Sequence, residues 1–113
     1  MHEVSLCQGI VELLQEKAEV ESFSCIQSIR LEIGLLSCVE AEAMRFAFDA
    51  VAAGTVAQGA KLEIDEVPGL GWCSRCASEV RIDHRYDACP NCESYPLEIR
   101  QGDEMRIKYV EVV

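Results

Sequence analysis

A chain of 113 residues, half of them hydrophobic but only 6% aromatic, has room for one compact domain, or a small domain with an inserted module, around a mainly aliphatic core. Its net charge of −10 is repelled by phosphate backbones and acidic lipid surfaces, which excludes general nucleic-acid and membrane binding and favours cations and basic proteins as partners. No apolar run is long enough to span a bilayer, and the opening MHEVSLCQGIVELLQ has neither a basic start nor a cleavage signature.

The expectation is a cytoplasmic protein that keeps its own N-terminus. Its seven cysteines then sit in a reducing compartment, where metal thiolates are favoured over disulfides.

The first element is a helix from about Glu3 to Val20, with Leu6, Cys7, Ile10, Leu13, Leu14 and Ala18 on one stripe and Glu12, Glu16 and Glu19 away from it. Residues 21–25 form a polar connection. IQSIRLEIG then alternates Ile29, Leu31 and Ile33 against Ser28, Arg30 and Glu32, a half-buried strand ended by Gly34. Ser37 with Glu40 three residues on has the spacing of a capping box. It opens a second helix with Val39, Ala43, Phe46, Ala47, Ala50 and Val51 on one side and Gly54 as its stop.

KLEIDEV alternates again, with Leu62 and Ile64 inward, until PGLG breaks the pattern. From Pro68 to about Arg100 the chain carries four cysteines and few large aliphatics, and MRIKYVEVV closes it as a strand. The fold class is therefore α+β: two helices packed on a three-stranded mixed sheet, the last strand rejoining the first two. A four-cysteine zinc-ribbon-like domain is inserted, with VPGLG as a hinge. The strand–helix–strand stretch 26–67 prefers a right-handed crossover. Residues 1–67 and 101–113 form the first domain and residues 68–100 the second.

Cys73 and Cys76 form one C-x-x-C, and Cys89 and Cys92 another, twelve residues apart. Each pair makes a tight turn that aims two sulfurs at one spot, and two such turns supply the four thiolates of a structural zinc tetrahedron. Disulfides conflict with the compartment, and a redox pair wants a helix start after a strand. Iron in the same cage shares the softness and geometry of zinc and stays open. Four protein ligands leave no position for water or substrate, so the site reads as structural. Metal binding of about 10–16 kcal/mol, as in zinc-finger peptides, would supply what a missing core cannot. Within 68–100 four basic residues face five acidic ones, which is no basic nucleic-acid reader. His84 reads as a solvated loop residue.

The terminus poses a second metal question. At Met1-His2-Glu3 the α-amine of Met1, the amide and imidazole of His2, and the amide of Glu3 can close three chelate rings around one ion. Four nitrogens in a plane select Ni(II) or Cu(II). The first amides of a helix have no intrahelical acceptor and are free to become ligands. Taken alone, a terminal histidine is more often a frayed end than a ligand.

No phosphate-binding G-x-x-x-x-G-K-[ST] loop occurs, and two histidines support no serine–histidine–acid set, so no enzyme is indicated. Cys7 reads as a buried thiol on the apolar stripe. Cys25 and Cys38 are assigned no chemistry. Trp72, directly before Cys73, is expected to pack the module against its neighbour.

MHEVSLCQ, IRLEIGLLSCVE, GTVAQGAKLEI, WCSRC and CPNC together resemble the HypA/HybF family of nickel metallochaperones for hydrogenase maturation, over essentially the whole chain. The resemblance implies Ni(II) as transient cargo, held by His2 and the adjoining nitrogens of Met1 and Glu3. It implies structural Zn(II) held by Cys73, Cys76, Cys89 and Cys92. It further implies docking onto a nickel-handling GTPase maturation partner and delivery to the [NiFe]-hydrogenase large-subunit precursor. Some members of the family serve urease, which adds urease maturation proteins to the implied partners. The Glu3 side chain has a role beside the metal or at a partner contact, with a plain helix-start preference as the equal alternative. The rival reading is a zinc-ribbon adaptor between proteins, without metal delivery. The sequence does not fix the oligomeric state, a weak homodimer included.

Overall fold

The structure, a computed structural model, describes residues 2–113. In chain order the elements are α1 (His2–Glu21), β1 (Ile26–Gly34), α2 (Ala41–Ala52), β2 (Lys61–Val67), β3 (Gly69–Cys73), β4 (Ser78–Ile82), β5 (Glu98–Gln101) and β6 (Met105–Val112). They make the α+β fold read from the periodicities, with two three-stranded sheets ordered β2-β1-β6 and β4-β3-β5. The last strand does rejoin the first two, with β1 in the centre.

Two compact units share the chain. The first takes in the chain up to Leu31, Val39–Ile64 and Ile107–Val113; the second comprises Glu32–Cys38 and Asp65–Arg106.

In the first unit, α1 and α2 lie side by side and run in the same direction. Glu3 meets Glu40, and the Cys7 sulfur lies 3.6 Å from the Met44 carbonyl oxygen and 3.9 Å from its sulfur. The buried stripe of α1 is Cys7, Ile10, Val11, Leu14 and Ala18. Leu13, expected on it, is exposed, because the seam with α2 follows Cys7, Val11, Leu14 and Ala18 and leaves Leu13 to one side.

The second helix departs further from expectation. Ser37 is not the N-cap of α2: its hydroxyl and its N–H both donate to the Gly34 carbonyl, at 2.7 and 3.0 Å. Cys38 then takes φ +64, and the helix begins only at Ala41, behind Glu40 as an N-cap without a side-chain bond. Its buried residues are Met44, Ala47, Phe48 and Ala52, whereas Phe46 is 87% exposed. Positions 46 and 48 point to opposite sides of a helix, and the core takes Phe48. Gly54, at φ +77, follows the helix end as predicted.

In β1, Ile29, Leu31 and Ile33 are buried as the alternation requires, and Ser28 is buried as well. Cross-strand partners make this tolerable: the Ser28 hydroxyl donates to Glu111 at 2.7 Å, and Arg30 pairs with Glu63 at 2.8 Å.

In the second unit the stretch expected only to break the pattern is a central strand. β3 pairs antiparallel with β4, from Gly69 opposite Ile82 to Cys73 opposite Ser78, and with β5, Trp72 opposite Glu98. Its period-2 burial falls on Gly69, Gly71 and Cys73, residues that carry no aliphatic signal. Gly69 is required by close approach: a Cβ there would lie 2.7 Å from both the Ile82 carbonyl oxygen and Leu36 Cγ. The Trp72 ring is covered within the same unit by the Arg100 guanidinium, 4.9 Å from the ring centroid.

Candidate metal centre

The antiparallel register fixes the first cysteine pair. Cys73 ends β3 and faces Ser78 at the start of β4, so Cys73 to Cys76 is the tip of a hairpin. The Cys76 N–H donates to the Cys73 sulfur at 3.4 Å, curling the loop around it. The second pair forms the same kind of knuckle without a hairpin. There the Asn91 N–H donates to the Cys89 sulfur at 3.4 Å, and the backbones of Cys89 and Glu93 close the turn at 2.8 Å. Each knuckle is left through a residue in the left-handed region, Ala77 at φ +53 and Glu93 at φ +64.

The two turns bring four sulfurs within 4.8 Å of one another. The Cys73 and Cys92 sulfurs are 3.5 Å apart, and those of Cys76 and Cys89 are 3.9 Å apart. A tetrahedral ion with bonds of roughly 2.3 Å needs S···S edges of about 3.8 Å. A covalent bond would need about 2.05 Å; all seven cysteines are free. The thioredoxin-like alternative falls too, since the first pair tops a β-hairpin rather than opening a helix.

Cys73 and Cys89 are buried, and Cys76 and Cys92 half-buried. Protons cannot leave all four sulfurs at this spacing without a cation. The Ser94 hydroxyl, 3.1 Å from the Cys92 sulfur, and the Ser94 N–H favour a thiolate there and bring Cys92 down to about 6. Cys76, facing the Cys92 and Cys73 sulfurs, is pushed up to about 12. A dication removes this conflict by displacing the remaining protons, so the donor set fits a thiophilic divalent metal. Among the described residues no other group of three or more His, Cys, Asp or Glu side chains converges in this way.

The N-terminal residues read as nickel ligands divide differently. Met1 lies outside the described residues. His2 is the exposed first residue of α1, and Glu3 is half-buried behind it. The Glu3 carboxylate is held below the usual glutamate range, first by its own backbone N–H and then by that of Glu40. His84 is an exposed loop residue, 3.6 Å from Asp87. Cys7 is fully buried, and Cys25 and Cys38 are exposed.

Sequence reasoning missed Ser94, although its place two residues after Cys92 could have suggested it. It also missed the Glu40 backbone, for which no sequence signal exists.

Residues 1–112 match the protein family described as HypA, hydrogenase/urease nickel incorporation, metallochaperone. The chain is 52% identical over 112 residues to the hydrogenase maturation factor HypA of Azotobacter chroococcum mcd 1, covering 99% of each chain. It is 50% identical to the factor of the same name from Azotobacter vinelandii, again over 99% of each. Among solved structures it is similar to the Ni metallochaperone HypA from Helicobacter pylori, with TM-score 0.70, 25% identity, and 98% of this chain and 97% of that one covered. A second HypA solution structure gives TM-score 0.72 and 27% identity, covering 100% and 97%.

Proposed function

Because this chain belongs to the HypA family of hydrogenase/urease nickel-incorporation metallochaperones, we propose that it binds Ni(II) at its N-terminus and delivers it to the large-subunit precursor of a [NiFe]-hydrogenase. The acceptor is taken as hydrogenase rather than urease because the relatives at about 50% identity are named hydrogenase maturation factors. A nickel-handling GTPase is the proposed docking partner and the cytoplasm the proposed compartment. No helix among the described residues is long and apolar enough to cross a membrane. The role is one of binding and transfer, without catalysis.

The observation that carries this reading is the match over residues 1–112 of a chain that opens Met-His-Glu. The ligands would be the α-amine of Met1, the amide and imidazole of His2 and the amide of Glu3, in one plane around Ni(II). Two physical features support it. His2 and Glu3 lie in the first turn of α1, where backbone amides lack intrahelical acceptors. The N-termini of α1 and α2 also lie side by side at Glu3 and Glu40. Two positive helix ends lower the cost of turning amides into anionic ligands.

The four-sulfur cluster is assigned a separate task. Cys73, Cys76, Cys89 and Cys92 would hold Zn(II) permanently, with no coordination position left for cargo.

The reading is tested by titrating Ni(II) into zinc-loaded protein with its native terminus, beside a version extended by one residue before Met1 and beside His2→Ala. Both changes are expected to abolish the diamagnetic square-planar spectrum. Unchanged affinity and spectrum in both would overturn it.

A further inference from the structure

The sheet of the second unit has an open edge at β4. This strand pairs with β3 alone, and among the described residues no other backbone bonds it from outside. Val80 and Ile82 turn inward to the core, so Glu79 and Arg81 stand exposed on the opposite face. Their neighbours across β3 are apolar, Trp72 beside Glu79 and Leu70 beside Arg81. Among the described residues neither side chain has an ion pair or a hydrogen bond. The chain holds 20 acids against 10 bases, so most cations can find a carboxylate, and Arg81 has none. The other edge, β5, has the same acid–aliphatic–base order, but there Arg100 is held by Glu98 at 3.3 Å and lies over Trp72.

An open strand edge is a template for another strand, and the side chains choose which strand fits. Read in reverse about Val80, the order Glu79-Val80-Arg81 exchanges acid for base. A twofold axis through Val80, normal to the sheet, keeps inward residues inward and sets Glu79 opposite Arg81 of a second copy, twice. Side chains directly opposite in an antiparallel pair have Cβ atoms about 4.5–5.5 Å apart, within reach of an ion pair. A slip of two residues sets Glu79 against Glu79, or Arg81 against Arg81. A slip of one sets inward residues beside outward ones. One register is therefore favoured. A strand of a single charge sign from another protein would always meet one like charge, and nucleic acid or anionic lipid has no strand to add.

We propose that the outer edge of β4 is a pairing surface for β4 of a second copy of this chain, antiparallel about Val80, which joins the two sheets edge to edge. Five residues fall far short of the roughly 1,200–2,000 Å² of a stable interface, so the pair forms at high concentration and parts on dilution. The inference stands on the sheet edge and its two charges, and does not depend on what the N-terminus binds.

The zinc-loaded full chain, without nickel, is followed by sedimentation equilibrium and by amide chemical shifts on dilution from about 1 mM, the range of a weak complex. Self-association is expected, with shifts on Ser78–Ile82 and none on β5. Glu79→Arg and Arg81→Glu, each alone, set like charges opposite each other and should weaken association by about tenfold or more. Mixed in equal amounts, these two variants regain opposite charges at both positions and should associate with each other at least as tightly as the parent does with itself. The exchange of both charges in one chain, Glu79→Arg with Arg81→Glu, should associate like the parent. Glu16→Arg, the same change of charge on α1, should alter nothing. All three altered residues are exposed, so these variants keep the fold. Their nickel titrations should match the parent, which separates failure here from failure of the nickel reading. The proposal is overturned if the parent stays monomeric at about 1 mM, if the single variants associate as it does, if the mixture recovers nothing, or if the dilution shifts fall on another strand edge. A monomeric parent whose β4 amides shift instead with an extended peptide of the same alternation would also overturn it, and would give the edge to a strand of another protein.

Discussion

The Glu3 carboxylate accepts the backbone N–H of Glu40 at 3.3 Å, so the first turn of one helix satisfies the entry of the other. In a capping box this bond comes from a glutamate three residues into the same helix. Here a residue 37 positions earlier supplies it, and α2 has no cap from its own side chains. Glu3→Ala is therefore expected to speed hydrogen exchange at the Glu40 amide and through the first turn of α2, leaving exchange in β3 and β4 unchanged. Glu3→Gln, which keeps an oxygen acceptor, should restore most of the protection. Equal exchange in all three proteins would remove Glu3 from this role.

Two glycines of similar sequence appearance have opposite physical meaning. Nothing lies within 4 Å of a Cβ built on Gly9, in the middle of α1. Gly9→Ala should stabilise the protein by about 0.5–1 kcal/mol, the usual helix-interior difference. A Cβ on Gly34 would stand 2.0 Å from the Gly102 carbonyl oxygen, and the Gly34 N–H is itself bound to the Glu104 carbonyl at 2.8 Å. Backbone on both sides cannot yield cheaply, and Gly34→Ala should cost about 2–3 kcal/mol. Denaturant midpoints of the two variants, moving in opposite directions at constant m-value, check the pair.

The difference between these glycines shows where sequence reasoning stops. Elements whose periodicity is written in aliphatic residues, α1, β1, β2 and β6, were legible to within a residue or two. Strand β3 was not, because its inward positions are Gly69, Gly71 and Cys73 and its logic is close packing rather than hydropathy. The phase of α2 was misread because Phe46 and Phe48 compete for the core, and only the position of α1 decides between them. Ser37 and Glu40 had the right spacing for a capping box, but the left-handed turn at Cys38 puts the helix start three residues beyond it. The four-sulfur cluster was the opposite case. Short turns act locally, so the spacing of the two cysteine pairs alone foretold that their ligand atoms meet.

Thiol chemistry should sort the cysteines by environment. Cys25 and Cys38 are exposed, while Cys7 is fully buried and its thiol pushed above the ordinary range, first by burial and then by the negative charge of Glu3 one turn before it. A raised folded-state value means that the buried thiol contributes its full stability below the ordinary thiol range. That contribution fades as pH rises from there toward the raised value. In zinc-loaded protein at neutral pH, iodoacetamide should label Cys25 and Cys38 and leave Cys7 unmodified. Comparison with Cys7→Ala should show the parent losing stability faster in the alkaline range. Rapid labelling of Cys7 under native conditions, followed by peptide mass mapping, would contradict its burial against Met44.

Metal removal should act on the second unit far more than on the first. The buried core of the second unit is Leu36, Val80 and Ile82 together with Cys73 and Cys89, so two of its five members belong to the metal cluster. Burying three aliphatic side chains contributes about 1.5–3 kcal/mol each, against about 1–2 kcal/mol of backbone entropy for every residue ordered. Structural zinc contributes about 10–16 kcal/mol in peptides of this kind. Without an ion the four sulfurs, all within 4.8 Å of one another and two pairs of them at 3.5 and 3.9 Å, also face one another with incomplete proton loss. Chelation, or Cys89→Ser, is therefore expected to abolish amide protection in β3, β4 and β5. Protection in α1 and α2 should persist, because their packing on Cys7, Leu14, Met44 and Phe48 contains no metal ligand. Cys25→Ser should change neither unit. Zinc added back to the chelated protein should restore the lost protection, and a metal-free protein whose β3 amides stay protected would show that sulfur coordination does not hold this unit together.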